Sequence, residues 1–384
     1  MNNLKILQIS AYFLPSYRGT ERVVAELSSN LVKLGHTVDI LTINSEGINK
    51  KELWKKNINV YRCNPLLRYH RSLFSFELIK ILMASKNYDV YHIHIPFHLG
   101  LEAVVLASYK NNIPIIANHH GEGPETGVIH GLLNKTYNKM YRYTSLPKIS
   151  KLLFFTKSYP QSLHFPNYIQ KKINVIKPGV DTSVFNPQKK DLTIKERYNF
   201  KQNDPVALFV STLNVWDKTR GIYELIDSMK QIITLIPEAK LIIVGEGSLV
   251  PILKRHVSEI GLKNNIVFAG KILGNEIAKY YSSCDFFVLP SKYESFGFTV
   301  LEAMASGKPS IIRDIPGVSE LIQDNVTGLK FNVKDNDSLT HSLYSLFKNK
   351  KLRLQMGENA INEAKKTSWM NFAKEINDIY QKIT

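Results

Sequence analysis

Glu294-Ser295-Phe296-Gly297-Phe298-Thr299-Val300-Leu301-Glu302 places two carboxylates eight positions apart around a Phe-Gly turn. The run before it, Phe286-Phe287-Val288-Leu289-Pro290-Ser291, reads as a fully buried strand ended by a proline. The run after it, Leu301-Glu302-Ala303-Met304-Ala305-Ser306-Gly307, reads as a helix closed by glycine. Glu294 is therefore expected on a loop at a strand's carboxyl end, and Glu302 on the helix that follows. In open α/β sheets ligands bind at that end, and a helix N-terminus there favours phosphate. A single Glu is most often a solvated surface charge. A pair beside a helix N-terminus can accept hydrogen bonds from the many hydroxyls of a sugar or a ribose, and Glu302 points back along its helix toward that place.

Working outward, the second half offers strands at 207–211, 240–244, 266–269, 286–289, 310–312 and 329–331, with helical runs between most of them. The first half alternates likewise. Its strands are expected at 6–10, 38–42, 60–62, 90–94, 113–118, 152–155 and 175–176, with helices from Gly19 to about Leu34, over 74–85 and over 99–109. Such alternation predicts a parallel, doubly wound sheet in each half. Lys177-Pro178-Gly179-Val180-Asp181 turns out of the first sheet, and Phe185-Asn186-Pro187 with a charged stretch to Asp204 marks the boundary. The expected domains are 1–187 and 204–366, followed by a helix over 367–384. Phe372, Ala373, Ile376, Ile379, Tyr380 and Ile383 form an apolar stripe on that helix, which is expected to pack across the domain junction.

At 384 residues, 44% hydrophobic and 22% charged, the chain suits two or three globular domains. No run of about 18 apolar residues predicts a membrane-spanning helix. Met1-Asn2-Asn3-Leu4-Lys5 leads into a short strand rather than a signal peptide. Cys63 and Cys284 are far apart and lie by apolar runs, which predicts buried free thiols in a reducing cytosol. No His/Cys spacing suggests zinc. Lys and Arg number 50 against 33 Asp and Glu, a net charge of +17, which favours an anionic partner. Without zinc-finger, RNA-recognition or helix-turn-helix patterns, a membrane surface or a phosphorylated substrate ranks above nucleic acid.

Four further loops follow predicted strands. Pro15-Ser16-Tyr17-Arg18-Gly19-Thr20-Glu21 opens the first helix, and Gly19 there lets backbone N–H groups approach a phosphate. Asn118-His119-His120-Gly121-Glu122 offers His120 for a sugar hydroxyl or proton transfer, with a helix cap or surface histidine as the plain alternative. His92 and His94 alternate on a strand and read as structural. Leu213-Asn214-Val215-Trp216-Asp217-Lys218-Thr219-Arg220-Gly221 carries two cations, Lys218 and Arg220, able to clamp a diphosphate. Gly245-Glu246-Gly247 lacks the third glycine of a dinucleotide fingerprint. Between 132 and 151, Lys135, Lys139 and Arg142 recur at helical spacing among Leu133, Tyr137, Met140 and Tyr141. That pattern fits a basic helix lying on an anionic membrane, and equally a helix packed on the sheet with a solvated cationic face.

Together these residues resemble the retaining glycosyltransferases of family 4, with the two-domain fold called GT-B. The likeness runs through Gly19 and Glu21, Gly35-His36-Thr37-Val38, Lys177-Pro178-Gly179-Val180-Asp181, Gly245-Glu246-Gly247 and Phe268-Ala269-Gly270. It is sharpest from Leu289 to Glu302, at Gly307-Lys308-Pro309 and at Asp314-Ile315-Pro316-Gly317. The resemblance implies an α/β chain of two Rossmann-like, doubly wound parallel-sheet domains facing a cleft, with the C-terminal helix crossing back to the first domain. It implies a nucleotide sugar, UDP- or GDP-linked, bound mainly by the second domain. Glu302 then holds the ribose hydroxyls and Glu294 the donor sugar. Backbone around Phe296, Gly297 and Phe298 meets the sugar and diphosphate, as does Gly245. His120 sits near the reacting sugar, Gly19 near the phosphates, and Arg220 with Lys218 at the leaving group. His120, Glu294 and Arg220 are the expected catalytic residues, with no metal and no cofactor. The implied acceptor is a lipid-linked or cell-surface glycan. The basic helix and the net charge add the expectation of a cytoplasmic site that touches the inner face of the membrane through Lys135, Lys139 and Arg142, without nucleic acid. Three positions depart from the family pattern: Thr212 replaces a common Arg, Arg220 replaces a common Lys and keeps its charge, and Arg18 replaces the first of two glycines. A nucleotide-sugar 2-epimerase or a phosphorylase of the same fold, and a non-catalytic nucleotide-sugar-binding partner, are the alternatives. A hydrolytic use of the carboxylate pair fits the surrounding motifs less well.

Overall fold

The computed structural model describes residues 2–15, 19–44, 51–55, 57–69, 72–122, 128–214, 220–332, 335 and 337–384. The chain divides into two compact units, Met1–Gly179 with Ser368–Thr384, and Val180–Thr367.

The first unit is built on an eight-stranded sheet, ordered β10-β9-β8-β7-β1-β2-β4-β3. Its strands are β1 (Lys5–Ser10), β2 (Thr37–Ile43), β3 (Lys51–Leu53), β4 (Ile58–Cys63), β7 (Val90–Ile95), β8 (Ile115–His119), β9 (Lys151–Phe154) and β10 (Ile173–Val175). All pairs are parallel except β3 on β4. Between β4 and β7, β5 (Leu67–Tyr69) and β6 (Ser72–Phe74) form a small antiparallel hairpin. β3, β5 and β6 are three residues each and too short for an alternation to announce them. Every residue of β7 and β8 is buried, as expected of strands covered on both faces. The final helix, Trp369–Ile383, belongs to this unit. Ser368 caps it by accepting from Asn371 N, and Trp369, Phe372, Ala373, Ile376, Asn377 and Tyr380 are its buried face. Asn377 Oδ1 lies 2.9 Å from His36 Nε2, which fixes the helix along its axis. Gly179 explains its own identity, because a Cβ there would fall 2.1 Å from Trp369 N.

The second unit carries a six-stranded, wholly parallel sheet ordered β13-β12-β11-β14-β15-β16. The strands are β11 (Val206–Val210), β12 (Lys240–Val244), β13 (Ile266–Gly270), β14 (Phe286–Leu289), β15 (Ser310–Arg313) and β16 (Gly328–Phe331). The helix Ile222–Leu235 turns Ile222, Leu225, Ile226, Met229 and Ile232 into the core with Phe209, Ile243 and Val288. Full burial of each such side chain stabilises the fold by roughly 1.5–3 kcal/mol. In this sheet the chain winds outward from β11 one way and from β14 the other, so the strand order reverses between them. Cys63 and Cys284 are both buried and free.

Candidate active site

At the β11/β14 reversal two loops leave the sheet side by side, which is where such folds leave a ligand crevice. The β11 loop ends at Arg220 and Gly221. The β14 loop carries Glu294 and runs through Phe296 and Gly297 into the helix Phe298–Ala305. Arg220 Nη1 lies 3.0 Å from Glu294 Oε2, with the side chains 28% and 20% exposed, so this ion pair is half withdrawn from water.

Glycines set the spacing. Gly221, at φ +70°, packs against Pro290, and a Cβ would sit 2.2 Å from Pro290 O. Gly317, at φ +98°, lets the loop after β15 lie on the Glu294–Ser295 backbone, where a Cβ would be 2.4 Å from Glu294 O. Gly297, in the left-handed region at φ +96°, starts the helix. Phe296 is buried and meets Phe298 edge-on at 4.9 Å between ring centroids. Glu302 lies on that helix at 9% exposure.

Beneath these loops is a residue that the sequence reading did not single out. Arg313, at the end of β15, is 1% exposed. Its Nε donates to Pro290 O at 3.1 Å, and its Nη2 pairs with Glu224 in the first turn of Ile222–Leu235. It thus ties the root of the Glu294 loop to the helix that follows Arg220. A cation ending an apolar strand reads as a solvated terminus; only its place between a buried strand and the Asp314-Ile315-Pro316-Gly317 turn could have flagged it.

Gly245 follows β12 and approaches the β11 loop so closely that a Cβ would lie 1.8 Å from Ser211 O. Its N–H is used on Gly270 O at 2.8 Å, so close chain packing accounts for the glycine. Thr212 is exposed on the same loop. Lys218 lies outside the described residues, as does Arg18.

In the first unit, Gly19 opens the helix Gly19–Lys33 after β1. His120 follows β8, partly buried, with Nε2 2.8 Å from His94 Nδ1 and its ring stacked on that of His94. Burial, reinforced by His119 and His92, pushes its pKa down to about 3, so it is neutral. His119 is wholly buried against Phe154, and burial lowers it to about 4. Glu122 turns inward, 2.7 Å from Arg142 Nη2 and 3.0 Å from Tyr141 Oη. Arg142 also donates to Leu163 O and lies over Phe165, so its charge is held inside the unit. Lys135 and Lys139 are exposed on the helix Val128–Thr144. Among the described residues no cluster of three His, Cys, Asp or Glu side chains could hold a metal ion.

Two Rossmann-like parallel-sheet units are the architecture of the GT-B glycosyltransferases. The comparisons give the family. Residues 17–184 match the model "Glycosyltransferase Family 4" and residues 190–363 the model "Glycosyl transferases group 1". The chain belongs to this glycosyltransferase family. An uncharacterized glycosyltransferase of Methanocaldococcus jannaschii is 29% identical over 92% of each chain. The alpha-monoglucosyldiacylglycerol synthase of Streptococcus pneumoniae is 24% identical, over 96% of this chain and 83% of that one. The structure of Anabaena HepE in complex with UDP and glucose superposes with a TM-score of 0.80, at 17% identity, over 99% and 100% of the two chains.

Proposed function

We propose that the protein is a retaining glycosyltransferase that moves a sugar from a UDP- or GDP-sugar to a lipid-linked or cell-surface glycan acceptor. The observation that carries this reading is the Arg220–Glu294 pair at the β11/β14 reversal, 3.0 Å apart. In it the second unit binds the donor and the first the acceptor side. Glu302 takes the ribose hydroxyls and Glu294 the donor sugar. Arg220 and Lys218 offset the charge of the departing diphosphate without a metal, as the anomeric carbon gains oxocarbenium character. Removing one such contact costs about 2.7–4 kcal/mol of barrier. Retention follows if the acceptor attacks from the face the diphosphate leaves, giving its proton to the leaving phosphate.

The acceptor side rests on charge and shape. The first unit holds 25 Lys and Arg against 12 Asp and Glu, the second 25 against 21, so most of the positive excess lies in the first. Leu132, Lys135, Lys139, Met140 and Tyr143 are exposed at helical spacing along Val128–Thr144. An apolar and cationic stripe suits the surface of an anionic membrane. Among the described residues no helix is long and apolar enough to cross one. Peripheral contact from the cytoplasmic side is part of the reading and rests on that stripe.

A thermal-shift series with UDP, GDP and ADP tests the donor site. A nucleotide at about 100 times its dissociation constant stabilises by roughly 2.7 kcal/mol. The expected result is one nucleotide that stabilises the wild type and leaves Glu302→Ala unmoved. Equal shifts in both proteins would remove Glu302 from the ribose site. The product's anomeric configuration, read by NMR, tests retention.

A further inference from the structure

His120 is followed by Gly121, at φ +107°, and then by Glu122. The Glu122 side chain is 16% exposed and turned onto the helix Val128–Thr144. Its Oε1 accepts from Arg142 Nη2 at 2.7 Å and from Tyr141 Oη at 3.0 Å, and its Oε2 from Asn138 Nδ2 at 3.3 Å. Asn138, Tyr141 and Arg142 stand at i, i+3 and i+4 and share one face of that helix. The Glu122 N–H donates to Tyr159 Oη at 2.9 Å. Backbone and side chain of Glu122 are thus both fastened, two residues past His120.

The residue before His120 is tied to the same place. The Gly121 N–H donates to His119 Nδ1 at 3.1 Å. A backbone N–H can only donate, so Nδ1 is the bare nitrogen of the neutral His119 ring and Nε2 carries its proton. That Nε2 faces Tyr141 Oη in a long contact of 3.5 Å, and the Tyr141 hydroxyl donates to Glu122. His119 and Glu122 therefore flank His120 on one circuit through Tyr141. Arg142 is itself anchored, donating to Leu163 O at 2.8 Å and lying 5.0 Å from the Phe165 ring centroid. Desolvation of two charges offsets much of their attraction, so a half-buried pair of this kind adds little net stability over an apolar contact of the same size. Its planar, paired geometry does fix direction.

We propose that Glu122 is a positioning residue for His120: clasped by Arg142, Tyr141 and Asn138, it pins the loop after β8 to the helix Val128–Thr144 and sets where the His120 backbone stands. The start of the loop is held by the sheet, since the His120 N–H donates to Ile95 O at 2.8 Å and the His120 ring meets His94. Gly121, with a left-handed backbone and no side chain, is the joint that Glu122 closes. The effect on turnover rests on the reading of His120 as a residue at the reacting sugar; the placement of the loop does not.

The test compares the full chain, with labelled histidines, against Glu122→Ala and Tyr141→Phe, His120 being assigned by the signal lost in His120→Gln. In both variants the His120 ring signals should move, further in Glu122→Ala. Those of His36, bonded to Asn377 on the C-terminal helix, should stay. Glu122→Gln keeps an oxygen for Tyr141 and Arg142 and should restore most of the wild-type spectrum. With UDP-glucose as the probe donor, the two disruptive variants should lose about tenfold or more in kcat at little changed KM, and Glu122→Gln should recover most of that loss. Unmoved His120 signals in a folded Glu122→Ala would overturn the proposal. So would equal shifts at His36 and His120, which mark a general loosening. Moved signals with full kcat would overturn the part played in turnover. If Glu122→Ala does not fold, Tyr141→Phe, which keeps the ring, decides by the same signals. A wild-type chain that does not turn over UDP-glucose challenges the proposed function alone, while the spectra still decide the positioning.

Discussion

Arg220 and Glu294 test each other. Met at 220 keeps much of the side chain's length but removes the charge that can hold a carboxylate and reach a diphosphate together. Arg220→Met should lower kcat about a hundredfold, and Glu294→Gln should weaken it comparably; steady-state kinetics on the donor found by thermal shift checks both. An Arg220→Met enzyme with full kcat would take the cation out of the leaving-group role. The place of both on loops after strongly apolar strands was legible in the sequence. The polar contacts of His94 and Arg313 were not. A histidine alternating along a buried strand looks like core whether or not it has a polar neighbour, and Gln8, on the adjacent strand, comes 86 positions earlier in the chain. Partners that far apart in sequence leave no periodicity to read.

At the scale of elements, Arg313 and Gly317 hold the Glu294 loop from below and from the side. Arg313→Met removes a donor from Pro290 O and a counter-ion from Glu224. It is expected to destabilise the chain by about 1–3 kcal/mol in urea unfolding. The donor's Kd should also rise, since the Glu294 loop loses its anchor. Unchanged affinity with lowered stability would confine Arg313 to the core. Gly317→Ala puts a methyl where only 2.4 Å separates it from Glu294 O, at a φ that side chains rarely adopt. It should cost more than the roughly 1 kcal/mol of an ordinary glycine replacement and displace the same loop. The strands of the second unit were nearly all readable, since parallel strands covered on both faces are continuous apolar runs. The edge strand β3 and the β5–β6 hairpin were not, being three residues each.

Across the molecule, two properties follow from distributed charge. His92 and His119 are held neutral in the folded chain, burial lowering them to about 3 and 4, against about 6.5 unfolded. Between those values the unfolded chain binds more protons, so stability falls as pH drops through 6.5, by about 1.4 kcal/mol per pH unit for each ring. Urea unfolding at pH 7 and pH 5 should differ by about 4 kcal/mol from these two alone. A flat profile would mean that the rings charge within the fold. The basic first unit predicts sedimentation with vesicles containing anionic lipid, weakened by salt and by the paired change Lys135→Glu with Lys139→Glu. Binding to neutral vesicles of the same strength would rule out the electrostatic part. The division into units has a consequence for biosynthesis. Residues 368–384 supply Trp369, Phe372, Ile376 and Tyr380 to the interior of the first unit, yet they are translated after all of Val180–Thr367. The unit that begins first on the ribosome is thus finished last. Until residues 368–384 emerge, the apolar surface awaiting that helix stays uncovered, a span in which a nascent chain is open to chaperones and proteases.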